Sequence, residues 1–400
     1  MKHKGNSVDW KSTKPGTTSV WAGETEPSPY GATQVPVVHG VTFAYSDVEE
    51  WMKVALGEKE GHIYSRNTNP TVRVFEEKVR ALEGAEASTS FATGMAAVSN
   101  TLFTLLSPGQ RVVSIKDTYG GTSRMFLEFL PRFGVEVMLC ETGNHEEVEK
   151  EVAKGCRVLY LESPTNPMLK VLDLERLARA GKSAGATVVV DNTFATPINQ
   201  RPLDLGLDLV VHSATKFLGG HSDAMGGVVC GSKDLVQKIF HFREITGATL
   251  HPMSAYLLIR GMKTLEVRVQ RQNDNALALA RFLTQHPKID HVYYPGLETH
   301  PGHDIAKRQM KGFGGVLSFS LKGGFDDVKR FLERLKFAHL AASLGCVGTL
   351  AGPPRTTSHV ETSEAERRTL GIPEGLIRYS TGIENVEDLK ADLESALAGG

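Results

Sequence analysis

From residue 111 to residue 230 the chain repeats one pattern: a short β-branched apolar run, a polar or amphipathic stretch, then another run. The runs are RVVSI (111–115), VEVMLC (135–140), RVLYLE (157–162), TVVVD (187–191), DLVVH (208–212) and GGVVC (226–230). Parallel strands need crossover connections, and those crossovers cover both faces of the sheet; strands buried on both faces read as near-continuous apolar runs. The pattern therefore predicts an α/β fold with a mostly parallel central sheet of at least six strands, ending near residue 230. DLERLARAGKSAG (173–185) is one intervening helix, with Asp173 as its N-cap. TVRVFEEKVRALE (71–83) is another, upstream of the runs. Pro70 stands near its start, Val72, Phe75, Val79 and Leu82 share a face, and Gly84 occupies the C-cap position.

Four hundred residues exceed one ordinary core, since domains cluster at about 100–200 residues. Residues 1–60 are rich in Gly, Pro, Thr and Ser and predict an N-terminal arm that packs on something else, a partner subunit included. Residues 61–255 form the predicted large, cofactor-binding domain. Residues 256–400 form a smaller α+β C-terminal domain. It is entered through 255–285, helical in period and interrupted by Gly261, which suits one long helix or two in succession. Beyond it, HVYYPG and GVLSFSL predict strands, and FDDVKRFLERL and VEDLKADLESALA predict helices.

Composition excludes several functions. With 45 basic and 46 acidic residues the formal charge is −1, so no whole-molecule field attracts nucleic acid or an anionic membrane. Cys140, Cys156, Cys230 and Cys346 stand far apart with no Cys-x-x-Cys pair, which predicts reduced thiols and no metal site. No apolar run approaches the ~18 residues of a membrane span, and the first twenty residues hold no signal-like stretch. A soluble, cytoplasmic protein is expected.

In open parallel sheets ligands bind beyond the carboxyl ends of the strands. Three apolar runs end there in reactive residues. VLYL leads into Glu162-Ser163-Pro164-Thr165-Asn166-Pro167, TVVV into Asp191-Asn192-Thr193, and DLVV into His212-Ser213-Ala214-Thr215-Lys216. A lysine after a strand is ordinarily a solvated charge, and a strand-end aspartate ordinarily a cap. Between hydroxyls and the Gly219-Gly220 pair, Lys216 instead suits a Schiff base with an aldehyde next to a phosphate. Asp191 in a site could hold a proton on a pyridine nitrogen. Gly94-Met95 opens a predicted helix, whose N-terminal N–H groups favour an anion. Tyr119, in DTYGGT, offers a stacking face. Pyridine partner, stacking ring, phosphate cradle and aldehyde-accepting lysine together describe pyridoxal 5'-phosphate (PLP).

From about residue 17 to 395 the chain closely resembles the Cys/Met-metabolism enzymes of PLP fold type I. These include cystathionine γ-synthase, cystathionine γ-lyase, methionine γ-lyase, cystathionine β-lyase and the homoserine-ester sulfhydrylases. The matching motifs are YSRNTNPT (64–71), ATGMAA (92–97), DTYGGT (117–122), ESPTNP (162–167), VVVDNTFATP (188–197), HSATKFLGGHSD (212–223) and LIRYSTGIE (376–384). The resemblance implies a PLP-dependent carbon–sulfur lyase or γ-replacing transferase of sulfur amino-acid metabolism. Lys216 would be the Schiff-base lysine and proton shuttle, and Asp191 the partner of the ring nitrogen. Tyr119 would stack on the ring and aid proton transfer. Gly94, Met95, Ser213 and Thr215 would hold the phosphate, with Tyr64 and Arg66 reaching it from a neighbouring subunit. Asn166 would lie near the ring hydroxyl, and Arg378 with Ser343 would hold the substrate α-carboxylate. A homotetramer made of two dimers with shared active sites is implied. A non-catalytic binding protein on the same scaffold is the remote alternative, opposed by the intact Lys216, Asp191, Tyr119 and Arg378.

The member is less determined. Methionine γ-lyases carry YGCT where this chain has Gly121. Arg124, in YGGTSR, resembles an arginine of cystathionine synthases and γ-lyases suited to a distal carboxylate, although it could equally form a surface ion pair. Cystathionine or an O-acylhomoserine is the first expectation. Methionine, a sulfhydrylase reaction and an unusual γ-substituted amino acid are the alternatives. In SLGCVGTLAGPPRTTSH (343–359), Gly348 replaces the family's usual Glu, and Pro353-Pro354-Arg355 is unusual. In relatives this wall contacts the substrate side chain.

Overall fold

The structure, a computed structural model, describes residues 8–25, 28–357, 360 and 363–398. Small parts of the predicted arm, and Ser358 and His359 of the proline-bearing wall, lie outside the described residues. The central sheet has seven strands: β1 (Ala87–Phe91), β2 (Arg111–Ile115), β3 (Glu136–Cys140), β4 (Val158–Glu162), β5 (Thr187–Asp191), β6 (Leu209–Ser213) and β7 (Gly227–Gly231). Their order is β1-β7-β6-β5-β4-β2-β3. The run β3-β2-β4-β5-β6 is parallel, while β7 and β1 are antiparallel additions. All six predicted runs match their strands to within a residue at each end; DLVVH and GGVVC are each offset by one residue, to Leu209–Ser213 and Gly227–Gly231. The strand not predicted is β1, whose ASTSF carries too little apolar side chain to announce itself; pairing with the fully buried β7 gives it its place.

The Pro70–Glu83 helix forms as its residues dictate. Asn69 accepts hydrogen bonds from the Thr71 and Val72 N–H groups, Pro70 sits in the first turn, and Gly84 ends the helix at φ 70°. Its Val72, Phe75, Val79 and Leu82 enter one buried cluster with Phe217 and Leu218. The helix thus supports the loop that follows β6 from below. Asp173 caps the Leu174–Ser183 helix through the Arg176 N–H, as expected.

The linking segment takes the two-helix alternative: Pro252–Met262 and Leu265–Thr284 follow one another, broken at Lys263-Thr264, with Gly261 inside the first helix and not at the break. Gly261 serves close approach: a Cβ there would stand 2.0 Å from the Gly219 carbonyl oxygen, in the turn just after Lys216. Gly261→Ala is therefore expected to destabilise. Overpacking against backbone costs about 1–3 kcal/mol, which exceeds the roughly 0.5–1 kcal/mol that alanine gains over glycine within a helix. A urea titration checks this, and a variant at or above wild-type stability would refute it.

A second sheet follows: β8 (Ile289–Tyr293), β9 (Val316–Leu321), β10 (His339–Leu340), β11 (Leu350–Gly352) and β12 (Leu376–Ser380), in the order β10-β11-β12-β9-β8. It has its own buried cluster with the Leu265–Thr284 and Val386–Ala398 helices. All four cysteines are free thiols, and Cys140, Cys230 and Cys346 are buried. Among the described residues no helix is long and apolar enough to cross a membrane.

Candidate active site

The carboxyl ends of β4, β5 and β6 lie side by side. Glu162 is in register with Asp191, and Asp191 with Val211, two residues before Ser213. Past Ser213 the chain turns through residues 214–226 and returns as antiparallel β7, with Ser213 opposite Gly227. Lys216 rides on that turn. A cavity of about 360 Å³ opens above these strand ends, closed on its other side by Ser343 and Arg378 of the second sheet's region. Such a volume suits one small ligand.

Lys216 Nζ donates to Ser343 Oγ at 2.9 Å. Burial, and after it the charge of Arg378, lowers this amine from its ordinary value to about 8. A minority of roughly one-fifth is then neutral, and so nucleophilic, near physiological pH, far more than for an ordinary lysine. Arg378 is itself buried, which pulls it down to about 10. Its Nη2 donates to the Ser343 carbonyl at 2.8 Å and its Nη1 to Asn166 Oδ1 at 3.2 Å. Neither partner is a carboxylate, so the guanidinium keeps its charge for another anion. Ser343 reaches both groups from a backbone held at φ 98°, a left-handed conformation unfavourable for serine. Strain of this kind gathers at sites where geometry is over-determined by function.

Asp191 Oδ1 accepts from the Thr193 N–H at 2.9 Å. Burial pushes its carboxyl up, against hydrogen bonds from Thr193 and the nearby His212. Glu162, singled out in sequence only as a strand-end acid, also lines the cavity. Its Oε2 accepts from the Tyr119 N–H at 2.8 Å, which fixes the start of the tyrosine loop. Burial first, and the Asp191 charge next, hold the Glu162 carboxyl well above the usual range. Like charges this close cannot both ionise readily. Glu162, the neighbour of Asp191, is thus biased toward its protonated form.

The Tyr119 ring, 44% exposed, lies along the cavity. Gly94 and Met95 begin the Gly94–Leu105 helix, whose first N–H groups have no partner within the helix. A Cβ on Gly94 would stand 2.7 Å from Ser213 Cβ, so glycine lets this N-terminus close onto Ser213. Ser213 and Thr215 line the same end. Lysine, carboxyl, exposed ring, hydroxyls and a helix N-terminus thus surround one cavity, and they fit the aldehyde, ring nitrogen, ring face and phosphate of PLP.

Other predicted residues are elsewhere. Tyr64 and Arg66 do not line the cavity of their own chain; Tyr64 is 39% exposed and carries the Arg66 guanidinium 5.3 Å above its ring. Arg124 does not line it either, and its Nη1 pairs with Glu128 Oε1 at 2.9 Å. Arg355 turns to the Phe325 ring, 4.1 Å away, and to Glu374. Of the described wall residues from Gly352 on, Thr357 alone lines the cavity. Gly348 lines an adjoining groove, where a Cβ would meet nothing within 4 Å. Gly121 has structural context of its own: a Cβ would stand 2.9 Å from Met95 Sδ and 3.0 Å from the Tyr119 ring.

The chain is similar to known proteins over nearly its whole length. A family described as Cys/Met metabolism PLP-dependent enzyme matches residues 16–398. An L-methionine gamma-lyase from Fusobacterium nucleatum subsp. polymorphum is 47% identical over 385 residues, covering 96% of this chain and 97% of the relative. A cystathionine gamma-lyase from Bacillus subtilis is 42% identical over 382 residues, covering 95% and 98%. The crystal structure of cystathionine gamma synthase from Xanthomonas oryzae pv. oryzae in complex with cystathionine superposes with a TM-score of 0.92 at 37% identity, over 96% of this chain and 98% of that one.

Proposed function

We propose the following from the premise that the chain belongs to the Cys/Met metabolism PLP-dependent enzyme family: its cavity performs γ-elimination on an amino acid with an uncharged γ-thioether, L-methionine being the simplest. That the protein is a PLP-dependent enzyme of γ-elimination or γ-replacement chemistry follows from the family itself. The choice of substrate rests on the cavity's charges. Among the described residues its only cations are Lys216 and Arg378. One is needed for the chemistry and the other for the α-carboxylate. A second carboxylate on the substrate would find no cation of this chain, and an unpaired buried carboxylate is costly. Arg124, the expected partner for it, is paired with Glu128 instead.

Bound PLP supplies an aldehyde that condenses with amines and an electron-poor ring that accepts charge from the substrate Cα. The chain's own residues do the rest. Arg378, aimed by Asn166 and the Ser343 carbonyl, holds the substrate carboxylate. Lys216 Nζ, kept near neutrality and steered by Ser343 Oγ, takes the proton from Cα and then serves Cβ and the leaving sulfur. Asp191 holds the proton on the ring nitrogen, and Tyr119 stacks on the ring. Gly94, Met95, Ser213 and Thr215 hold the phosphate. Tyr64 and Arg66, exposed and outside their own cavity, serve the phosphate site of a neighbouring copy. The working protein on this reading is a cytoplasmic homotetramer of two dimers. It is divided into an arm (1–60), a large domain (61–255) and a small domain (256–400), and its free cysteines accord with a reducing compartment.

A second reading, cystathionine as substrate, is favoured by one observation. Thr215, Ala342 and Ser343 line both the cavity and the adjoining groove, whose walls also carry Asp223, His221, His251 and His339. That groove could take the polar end of a longer γ-substituent. The test is kcat/KM for L-methionine and for L-cystathionine, with products identified by mass spectrometry, in wild type and Arg124→Ala. Methanethiol, 2-oxobutanoate and ammonia from methionine are expected. The preference between the two substrates should change less than about twofold in Arg124→Ala, the scale of an exposed ion pair. Faster cleavage of cystathionine, with a selective KM rise for it in Arg124→Ala, would replace the first reading with the second. Cystathionine made from an O-acylhomoserine and cysteine, with little keto acid, would make the enzyme a γ-synthase.

A further inference from the structure

Arg268 is a buried cation whose hydrogen-bond partners include no carboxylate. It is 3% exposed. Its Nε donates to Thr264 Oγ1 at 3.1 Å and its Nη1 to the Phe217 carbonyl at 2.9 Å. Its Nη2 donates to the Leu218 and Gly261 carbonyls at 3.3 and 3.0 Å. Taking a charge out of water without a counter-ion is costly. What offsets that cost is the planar fork, which reaches two separate segments in fixed directions.

Those segments are the end of the Pro252–Met262 helix and the turn that carries Lys216. Phe217 and Leu218 directly follow Lys216. Gly220 makes room for the guanidinium, since a Cβ there would collide with Arg268 Nη1. The Gly220 N–H donates to the Lys216 carbonyl at 2.8 Å and closes the turn. The same helix face also holds the opposite wall. Gln272, one turn beyond Arg268, donates from Nε2 to the Cys346 carbonyl at 2.9 Å and to the Thr381 carbonyl at 3.2 Å. Cys346 lies three residues after Ser343, and Thr381 three after Arg378. The two loops then meet backbone to backbone. The Val347 N–H donates to the Gly220 carbonyl at 2.9 Å, and a Cβ on Gly345 would stand 2.8 Å from the Phe217 nitrogen. Neither Arg268 nor Gln272 lines the cavity.

We propose that Arg268 and Gln272 are positioning residues: one face of the Leu265–Thr284 helix sets the Lys216 turn against the Ser343 loop and so fixes where the amine stands over the substrate Cα. The inference rests on the role given to Lys216 above. Substrate binding stays with Arg378, so the helix face acts on proton transfer and on the amine's burial.

The test uses the full chain, first stripped of PLP and then as holoenzyme. Arg268→Lys keeps the charge and removes the fork. Gln272→Met removes both donors and changes no charge. The titratable groups around Lys216 are Arg378, Asp191, Glu162 and Tyr119 of the cavity and Cys346 of the Ser343 loop, and neither variant alters them. A loosened turn admits water to the Lys216 amine, whose depression comes first from burial. The pH at which uptake of PLP levels off should therefore rise from about 8 by about one unit in Arg268→Lys. In holoenzyme, kcat for L-methionine should fall about 10- to 100-fold, the cost of a misplacement near 1 Å. KM should stay within about twofold. Gln272→Met, read in the same way, serves if Arg268→Lys does not fold. An unmoved uptake pH or an unchanged kcat in the folded variant overturns the proposal, because a merely structural prop lowers the melting temperature and leaves the amine's titration alone. Lys216→Ala is the reference. If borohydride still fixes PLP to it, the role of Lys216 is wrong; if it alone departs from wild type, only the Arg268–Gln272 face is wrong.

Discussion

Lys216→Ala is expected to abolish turnover. Loss of the proton-transfer role alone costs on the order of 10²–10⁴-fold, and loss of the amine that captures the aldehyde comes on top of it. Borohydride should fix the cofactor covalently to the wild-type chain and not to the variant, as read by intact mass. The depressed amine adds a pH signature. A lysine at about 8 offers its neutral form above that pH, some two units below an ordinary lysine. Uptake of PLP by cofactor-stripped wild-type protein should therefore accelerate as pH rises through about 8 and then level off. A Lys216→Ala enzyme near wild-type activity would sink the assignment. An uptake rate still climbing steeply at pH 10 would remove the physical account of its reactivity.

Arg378→Ala should be the next most damaging change, and for a different reason. Truncating one partner of a buried, hydrogen-bonded charge pair costs about 2–5 kcal/mol, equivalent to roughly 30- to several-thousand-fold in kcat/KM. The loss should fall mainly on KM, because the carboxylate is bound before and during reaction. Arg378→Lys should recover only part of it. A lysine offers a point charge where Asn166 and the Ser343 carbonyl orient a planar fork. Arg378 also helps to depress Lys216, so in Arg378→Ala the pH at which uptake of PLP levels off should move upward. Substrate affinity unchanged in Arg378→Ala would show that the carboxylate is held elsewhere.

Glu162 shows how a feature visible in sequence can still have its role hidden. Its place at the end of an apolar run is plain in VLYLE. The upward push on its carboxyl is not, because that comes from burial and then from Asp191 standing beside it in register on the next strand. Arg124 is the converse case. Its motif is suggestive, yet the side chain spends its charge four residues along the same helical stretch, on Glu128. Helical spacing allows that pairing, but only the packing of the tyrosine loop selects it over the cavity.

The apolar runs were enough to mark six of the seven strands of the central sheet, because a strand buried on both faces must be written in apolar residues and must release its chain at an edge. Asp191, Ser213, Thr215 and Lys216 follow from that release, and Pro70, Gly84 and Asp173 mark helix ends through local backbone preference and capping. What tertiary structure alone decided are contacts between distant parts of the chain. Lys216 meets Ser343 across 127 residues, and Arg378 meets Asn166 across 212. Local pattern carries no record of such pairs. They exist because closing two sheets around one cavity removes water from both partners together, and that shared desolvation is what depresses Lys216 and Arg378.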